Sequence, residues 1–267
     1  MLRLTLRQRG NYAYAGGNGM TAAGICSVSF RPLSVEEMIE LSSSAGLDCI
    51  EWGGDIHVPA GNIERAKQVA ALTKDAGLSI HSYGSYYRCG EDEDFSAVSK
   101  TAHALGAENI RVWAGKKDSQ LFSDEEFSRL VETVRAAADL AARYGQTLAF
   151  EHHHGTYCNT PESTLRLLQS VNRNNVKTYW QPAYWQSTDS LDIDVNAIKL
   201  LRDHIVGVHI YHWRGTERLP LAEGLSNWQK FVELLGENKF YLEFFAGDSI
   251  EQFRIDAAVL KDVLKNR

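Results

Sequence analysis

The feature that most constrains this chain is an alternation repeated eight times, in which a short apolar run is followed by a longer amphipathic stretch. The short runs are AGICSVSF, LDCIEW, LSIHSY, NIRVW, TLAFE, VKTYW, IVGVHIY and FYLEF. Between them lie helical stretches near Val35 to Ala45, Ile63 to Ala76, Phe95 to Leu105, Asp124 to Tyr144, Pro161 to Val171, Val195 to Leu201, Asn227 to Leu235 and Ser249 to Leu264. Short apolar runs bounded by turn residues read as buried strands, and the longer stretches as helices with one apolar face. Eight such units with short connections, no Pro/Ser-rich linker and no shift in composition point to an α/β fold, a single (β/α)8 TIM barrel. An open doubly wound sheet is the runner-up. The chain's 267 residues suit one barrel, which commonly needs about 250.

Several helix starts carry their own chemistry. Ser34 with Glu37, Ser123 with Glu126, Ser226 with Gln229 and Asp248 with Glu251 each place an N-cap residue three before a side chain that can bond back. Thr160 followed by Pro161 adds a cap and a proline at the first helical position. Gly46, Gly77, Gly106 and Gly145 each follow a helical run, where a left-handed residue ends the helix.

Residues 1–21 read as an N-terminal extension and 22–267 as the barrel domain. MLRLTLRQRG is basic, lacks the continuous apolar stretch of a secretory signal and runs into the flexible NYAYAGGNG, with Met20 an alternative start. No strand precedes GGNG and no helix opens directly from it, so it is a loop rather than a phosphate cradle. The net charge of −6 gives no electrostatic encouragement for nucleic acid or anionic membranes, and no stretch approaches about 18 consecutive apolar residues. Four scattered cysteines without a CxxC suit a reducing, cytoplasmic compartment. The acidic Glu91 to Asp94 reads as a solvated helix entry.

In a barrel the active site sits where strands end and the following loops begin. Those positions carry Glu51 and Trp52; His81, Tyr83 and then Tyr86, Tyr87 and Arg88; Arg111 and Trp113; Glu151 with His152, His153 and His154; Tyr179, Trp180 and Gln181; His209, Tyr211, His212, Trp213 and Arg214; and Glu243. Alternate residues face inward, so Ala149 with Glu151, Tyr179 with Gln181, Gly207 with His209 and Tyr241 with Glu243 share the inner face, while Phe150, Val208 and Leu242 face the helices. A histidine in an apolar strand is more often a hydrogen-bonded core residue than a ligand. Two acids on matching strand ends reverse that reading for His209. Glu151, Gln181, His209 and Glu243 thus form an N/O site for one divalent metal ion, with Mn, Mg, Zn, Co and Ni all open.

The segments SFRPLSVEEMIELSSSAGLDCIEW, IRVWAG, LAFEHHHGTYCNTPESTLRLL and RLPLAEGLSNW with YLEF resemble the sugar phosphate isomerase/epimerase family of xylose-isomerase-like TIM barrels, which includes ketose 3-epimerases and inosose isomerases and dehydratases. The resemblance spans roughly Gly24 to Leu264. It implies a metal held by Glu151, by Gln181 where the family has aspartate, by His209 and by Glu243. Pro182 matches the usual Asp-Pro pair, but the amide removes one negative charge. Tyr184 stands where epimerases place a histidine. The implied chemistry is proton abstraction next to a carbonyl through an enediolate, with Glu151 and Glu243 as catalytic acid and base on a sugar, ketosugar or cyclitol. Trp113, Tyr184 and Trp185 are expected to pack against the substrate, Arg214 to bind a hydroxyl, carboxylate or phosphate, and Glu51, His81 and His154 to sit at the mouth, with Glu51 equally open to pairing with a barrel arginine. A homodimer or homotetramer is the expected assembly.

An isomerase or epimerase is therefore the first expectation. A dehydratase or other lyase is chemically adjacent, because the same enediolate can expel a β-hydroxyl. The change to Gln181 keeps a non-catalytic sugar-binding barrel in view. AP endonucleases share the barrel, but strand four ends RVW, strand seven lacks a DxH pair and the chain is acidic.

Overall fold

The computed structural model describes residues 21–91, 94–184 and 191–265. Residues 1–20 of the expected 1–21 extension, and Trp185, lie outside the described residues. Seven strands come first: β1 (Ala22–Cys26), β2 (Cys49–Gly53), β3 (Ser82–Cys89), β4 (Asn109–Ala114), β5 (Thr147–Glu151), β6 (Val176–Trp180) and β7 (Ile205–Ile210). A small hairpin, β8 (His212–Arg214) and β9 (Glu217–Leu219), then precedes the closing strand β10 (Lys239–Leu242). β1 pairs in parallel with both β2 and β10, so the eight long strands close into the expected barrel. Around it lie α1 (Val35–Ser44), α2 (Ile63–Asp75), α3 (Phe95–Leu105), α4 (Asp124–Ala142), α5 (Pro161–Val171), α6 (Leu191–Leu201), α7 (Leu225–Leu235) and α8 (Ile250–Lys265).

The alternation of side chains sorts two cores. Phe150, Val208 and Leu242 belong to the large apolar cluster between strands and helices. Ala149, Tyr179 and Tyr241 join Cys26, Val28 and Cys49 in a separate cluster inside the barrel. Two tyrosines fill that interior, and two glycines make room for them. A Cβ on Gly207 would lie 2.3 Å from the Tyr179 ring, and one on Gly24 would lie 2.9 Å from Tyr241. Large residues opposite small ones let a closed barrel pack without voids.

Capping boxes form at Ser34/Glu37 and Ser123/Glu126, and Thr160 caps α5 ahead of Pro161. Gly46, Gly77, Gly106 and Gly145 all adopt the left-handed backbone expected after a helix. Four expectations are corrected. The Ser226/Gln229 cap does not form, because a 3-10 turn over Leu221–Gly224 runs directly into α7 at Leu225. Asp248 does not cap α8; the Gln252 N–H bonds Ser249 Oγ instead, one residue later. α6 begins at Leu191 rather than Val195, with Asp192 and Asp194 in its first turn, where acids favour the helix dipole. β3 starts at Ser82 and continues to Cys89, so Tyr86, Tyr87 and Arg88 belong to the strand rather than its loop. Asp94, at the end of the acidic run, caps α3 by accepting from Ser96 N–H.

Candidate active site

Four strand ends deliver one cluster. Glu151 is the last residue of β5, Gln181 follows β6, His209 lies near the end of β7 and Glu243 follows β10. All four are buried. His209 Nδ1 is the hub: Gln181 Oε1 lies 3.0 Å away, Glu243 Oε2 3.4 Å and Glu151 Oε1 3.5 Å. Gln181 is fixed from its other end, its Nε2 donating to the His152 carbonyl at 2.9 Å.

Three acceptor oxygens around one ring nitrogen cannot all be satisfied by the single N–H it can carry. Oxygen and nitrogen ligands sit about 2.0–2.2 Å from a divalent ion such as Mg²⁺ or Zn²⁺, which places neighbouring ligands about 3 Å apart. The separations from His209 Nδ1 match that spacing, so the residues present fit such an ion. Cys26 Sγ, a His209 nitrogen and a Glu243 oxygen also lie within 4.8 Å of one another. Burial pushes the Cys26 thiol well up, so sulfur ligation would first require loss of a tightly held proton. The carboxylate, amide and imidazole donors are the better set.

A layer below, Arg111 on β4 joins two acids. Its Nε donates to Glu51 Oε1 at 2.8 Å and its Nη1 to Glu151 Oε2, which also accepts the Trp113 indole N–H. Ser82 Oγ donates to the second Glu51 oxygen at 2.7 Å. Gly84 makes this crossing possible, since a Cβ there would lie 2.6 Å from Arg111 Nη2. Burial raises the Glu51 carboxyl, but Arg111, His209 and Ser82 outweigh it and hold the group at about 2. Burial likewise opposes ionisation of Glu151, and Arg111 with His209 drives it well below the usual carboxylate range. Glu243 goes the other way: burial and the negative neighbours Glu151 and Glu51 lift it, despite the pull of His209 and Arg111. Burial alone would lower the His209 pKa, yet Cys26, Glu243 and Glu151 raise it well above normal.

The mouth is aromatic. Trp113 lies edge-on to Tyr86 with centroids 5.3 Å apart, and the Arg88 guanidinium stacks 3.9 Å from its ring. Tyr86 holds a left-handed backbone (φ 60°) that bulky residues rarely adopt. Arg31 secures it, donating to the Tyr86 hydroxyl at 2.8 Å and to Asp55 at 2.6 Å. Across the opening, Tyr184 packs on Trp213 at 4.5 Å, Trp213 on Phe244 at 5.9 Å, and His154 bonds the Tyr184 hydroxyl at 3.0 Å. Phe244 is also left-handed (φ 53°), with Arg218 4.5 Å above its ring and paired to Asp248.

Trp113, His154 and Tyr184 thus stand at the mouth. Two expected positions, Glu51 and His81, are corrected, and Arg214 lies on the hairpin. Glu51 is 1% exposed and lies beneath the cluster, its oxygens taken by Arg111 and Ser82. His81 sits at the opposite end of the barrel, because β3 begins after it; its neighbours Asp48, Glu108 and Lys239 flank the strand starts. Arg214 is exposed on the hairpin. On the hairpin it is Arg218 that faces Trp213 in the strand register. The hairpin's signal was the two-residue link Gly215-Thr216, with Gly215 at φ 58°. Arg111, expected at the end of strand four, is the barrel arginine that pairs with Glu51.

Fold and site together define an α/β barrel whose strand ends gather acids, an amide and an imidazole around one point. The chain belongs to the xylose isomerase-like TIM barrel family, whose model matches residues 39–263. Among similar proteins, a 3-dehydroshikimate dehydratase of Bacillus anthracis is 24% identical over 269 residues, covering 88% of this chain and 95% of that protein. An inosose dehydratase of Bacillus licheniformis is 27% identical over 145 residues, covering 52% of this chain and 45% of that protein. Among solved structures, a probable 3-DHS dehydratase of Bacillus anthracis superposes with TM-score 0.77 at 22% identity, covering 91% of this chain and 99% of that one. A D-psicose 3-epimerase of Clostridium cellulolyticum superposes with TM-score 0.69 at 16% identity, over 91% and 99% of the two chains. At those identities the structures speak for the fold alone.

Proposed function

We propose that this barrel is a metal-dependent lyase that removes water from a small ring compound bearing a ketone. Glu151, Gln181, His209 and Glu243 would hold one divalent cation, which supplies stabilisation of negative charge on a carbonyl oxygen. The observation that carries the reading is the unequal treatment of the two acids. Arg111 and Trp113 both donate to Glu151, fixing it as an anion, whereas Glu243 is lifted toward its protonated form.

That asymmetry suits one proton carrier working twice. Glu243 takes the proton from the carbon beside the ketone, and the C–H electrons move toward the carbonyl oxygen. Their return forms the carbon–carbon double bond as the β C–O bond breaks, and Glu243 hands its proton to the departing hydroxyl, which leaves as water. Epimerisation by two acids instead needs a second carboxylate of similar basicity on the opposite face. Glu151, held ionised by its donors, is a poor partner for it. The Bacillus anthracis dehydratase, aligned along nearly its whole length, supports the same choice. Arg218, set among Trp213 and Phe244, is positioned to bind a hydroxyl or carboxylate of the ring.

The test is incubation of protein loaded in turn with Mn²⁺, Co²⁺, Zn²⁺ or Mg²⁺ with 3-dehydroshikimate and with inosose in D₂O. A dehydrated product that requires metal supports the proposal. Deuterium entering recovered substrate without loss of water would replace it with an isomerase or epimerase. No metal uptake and no exchange would leave a binding barrel.

A further inference from the structure

Glu51 is buried beneath the cluster, where it faces the ring nitrogen of His209 that has no hydrogen-bond partner. His209 Nε2 is buried without a hydrogen-bond partner, and Glu51 Oε1 lies 3.4 Å from it. We propose that Glu51 is a positioning residue, which holds the His209 proton on Nε2 and so turns the Nδ1 lone pair toward Glu151, Gln181 and Glu243. This rests on the reading of His209 as a metal ligand.

The geometry allows one productive arrangement. The form of the ring that can bind a metal is the neutral one, which carries one N–H. With the proton on Nδ1, the Nε2 lone pair would face an anionic oxygen 3.4 Å away, and Nδ1 could not bind a metal. With the proton on Nε2, that contact becomes a charge-assisted N–H···O bond after a shift of a few tenths of an ångström. Nδ1 is then a ligand at the centre of three oxygens 3.0 to 3.5 Å away. Histidine ligands depend on such outer carboxylates to fix tautomer and ring direction.

Glu51 is itself rigid. Ser82 on β3 holds one oxygen at 2.7 Å and Arg111 on β4 the other at 2.8 Å. A Cβ on Gly84 would come 3.1 Å from Glu51 Oε1, so the chain keeps glycine where the crossing needs space. The His209 ring also packs on Tyr179, with centroids 5.2 Å apart. Because Arg111 spends Nε on Glu51 and Nη1 on Glu151, one buried acid orients two members of the site through separate links.

The experiment compares wild type with Glu51→Gln and Glu51→Asp, using nitrogen-15 NMR of the His209 ring in metal-free and Zn²⁺-loaded protein, together with Zn²⁺ affinity by chelator competition. Wild type should show a slowly exchanging, downfield Nε2 proton in both forms. In Glu51→Gln that proton should move upfield and exchange faster, and the Zn²⁺ dissociation constant should rise about 10- to 100-fold. Glu51→Asp keeps the charge but shortens the reach, and should fall between. If Glu51→Gln does not fold, Ser82→Ala, which loosens the same carboxylate, should shift the proton in the same direction. An unchanged Nε2 proton and unchanged Zn²⁺ affinity in Glu51→Gln would overturn the proposal while leaving His209 as a ligand. Failure of wild type to take up Zn²⁺ would instead remove the metal reading, and the response of the metal-free Nε2 proton to Glu51→Gln would still decide whether Glu51 holds that proton.

Discussion

Gln181 Oε1 lies 3.0 Å from His209 Nδ1, closer than either carboxylate of the cluster. A neutral amide thus occupies the position nearest the hub. Replacing it with a carboxylate adds one negative charge to the ligand set, which strengthens binding of a hard cation. Gln181→Asp should raise Mn²⁺ or Mg²⁺ affinity by about tenfold or more, measured by titration calorimetry. The variant also loses the donor to the His152 carbonyl, so metal-free protein should be about 1–3 kcal/mol less stable in urea.

Arg111 is the cation on which the buried acids depend. It is 2% exposed, as are its partners to within a few per cent, so removing it leaves Glu51 and Glu151 as unpaired buried charges. Arg111→Met should cost about 3–5 kcal/mol, read from urea midpoints. Arg111→Lys should recover part of that loss. A single ammonium keeps the charge but cannot reproduce the fork that reaches both acids.

The wedge beneath the cluster is equally specific. Gly207 exists because Tyr179 lies where its Cβ would be, 2.3 Å away. Gly207→Ala must displace that ring, which packs against His209, and overpacking of this kind costs about 1–3 kcal/mol. A lowered melting temperature together with weaker Zn²⁺ binding is expected. Unchanged metal affinity in a destabilised variant would show that the ring moves away from the site.

Much of this was legible because strand and barrel periodicities are simple. In a barrel of eight strands, alternation alone puts Glu151, Gln181, His209 and Glu243 on one face and Phe150 and Leu242 on the other. The misses share a cause, which is that local pattern does not fix where a strand starts. LSIHSY reads as a strand that would carry His81 to the mouth, whereas pairing with β4 begins at Ser82. For Glu51 the sequence leaves a mouth contact and an arginine partner both open, because position along a strand does not tell depth; Arg111, crossing over Gly84 from 60 residues away, decides for the second. On the hairpin, Arg214 and Arg218 carry the same charge in the sequence, and only the strand pairing sets Arg218 against Trp213.

The two hairpin arginines make a paired test. Arg218 lies over Phe244 and Trp213 at the mouth, while Arg214 is exposed. Arg218→Gln should raise KM for a ring substrate about tenfold, the loss of one charge-assisted hydrogen bond. Arg214→Gln should leave KM within twofold. Equal effects would place the substrate outside the aromatic rim.

Asp194, in the first turn of α6, gives a stability signature independent of the metal cluster. Burial lifts its carboxyl from 3.8 to about 6, although the Ala183 N–H donates to it and favours the ion. The direction is opposite to that of an ion-paired acid. Between about pH 4 and 6 the folded chain binds more protons at this position than the unfolded chain, so stability falls as pH rises through that window. Below it both states are protonated and no penalty exists; above it the penalty is complete. A shift of about two units corresponds to about 3 kcal/mol, and partial exposure of the side chain reduces this to about 1–2 kcal/mol. Asparagine keeps an acceptor for Ala183 and has no charge to bury. Asp194→Asn should therefore match wild type in urea at pH 4 and exceed it by about 1–2 kcal/mol at pH 8. A variant equally stabilised at both pH values would assign the gain to packing, and a variant weaker at pH 8 would mean that the ionised carboxylate is favoured by the helix terminus more than burial opposes it.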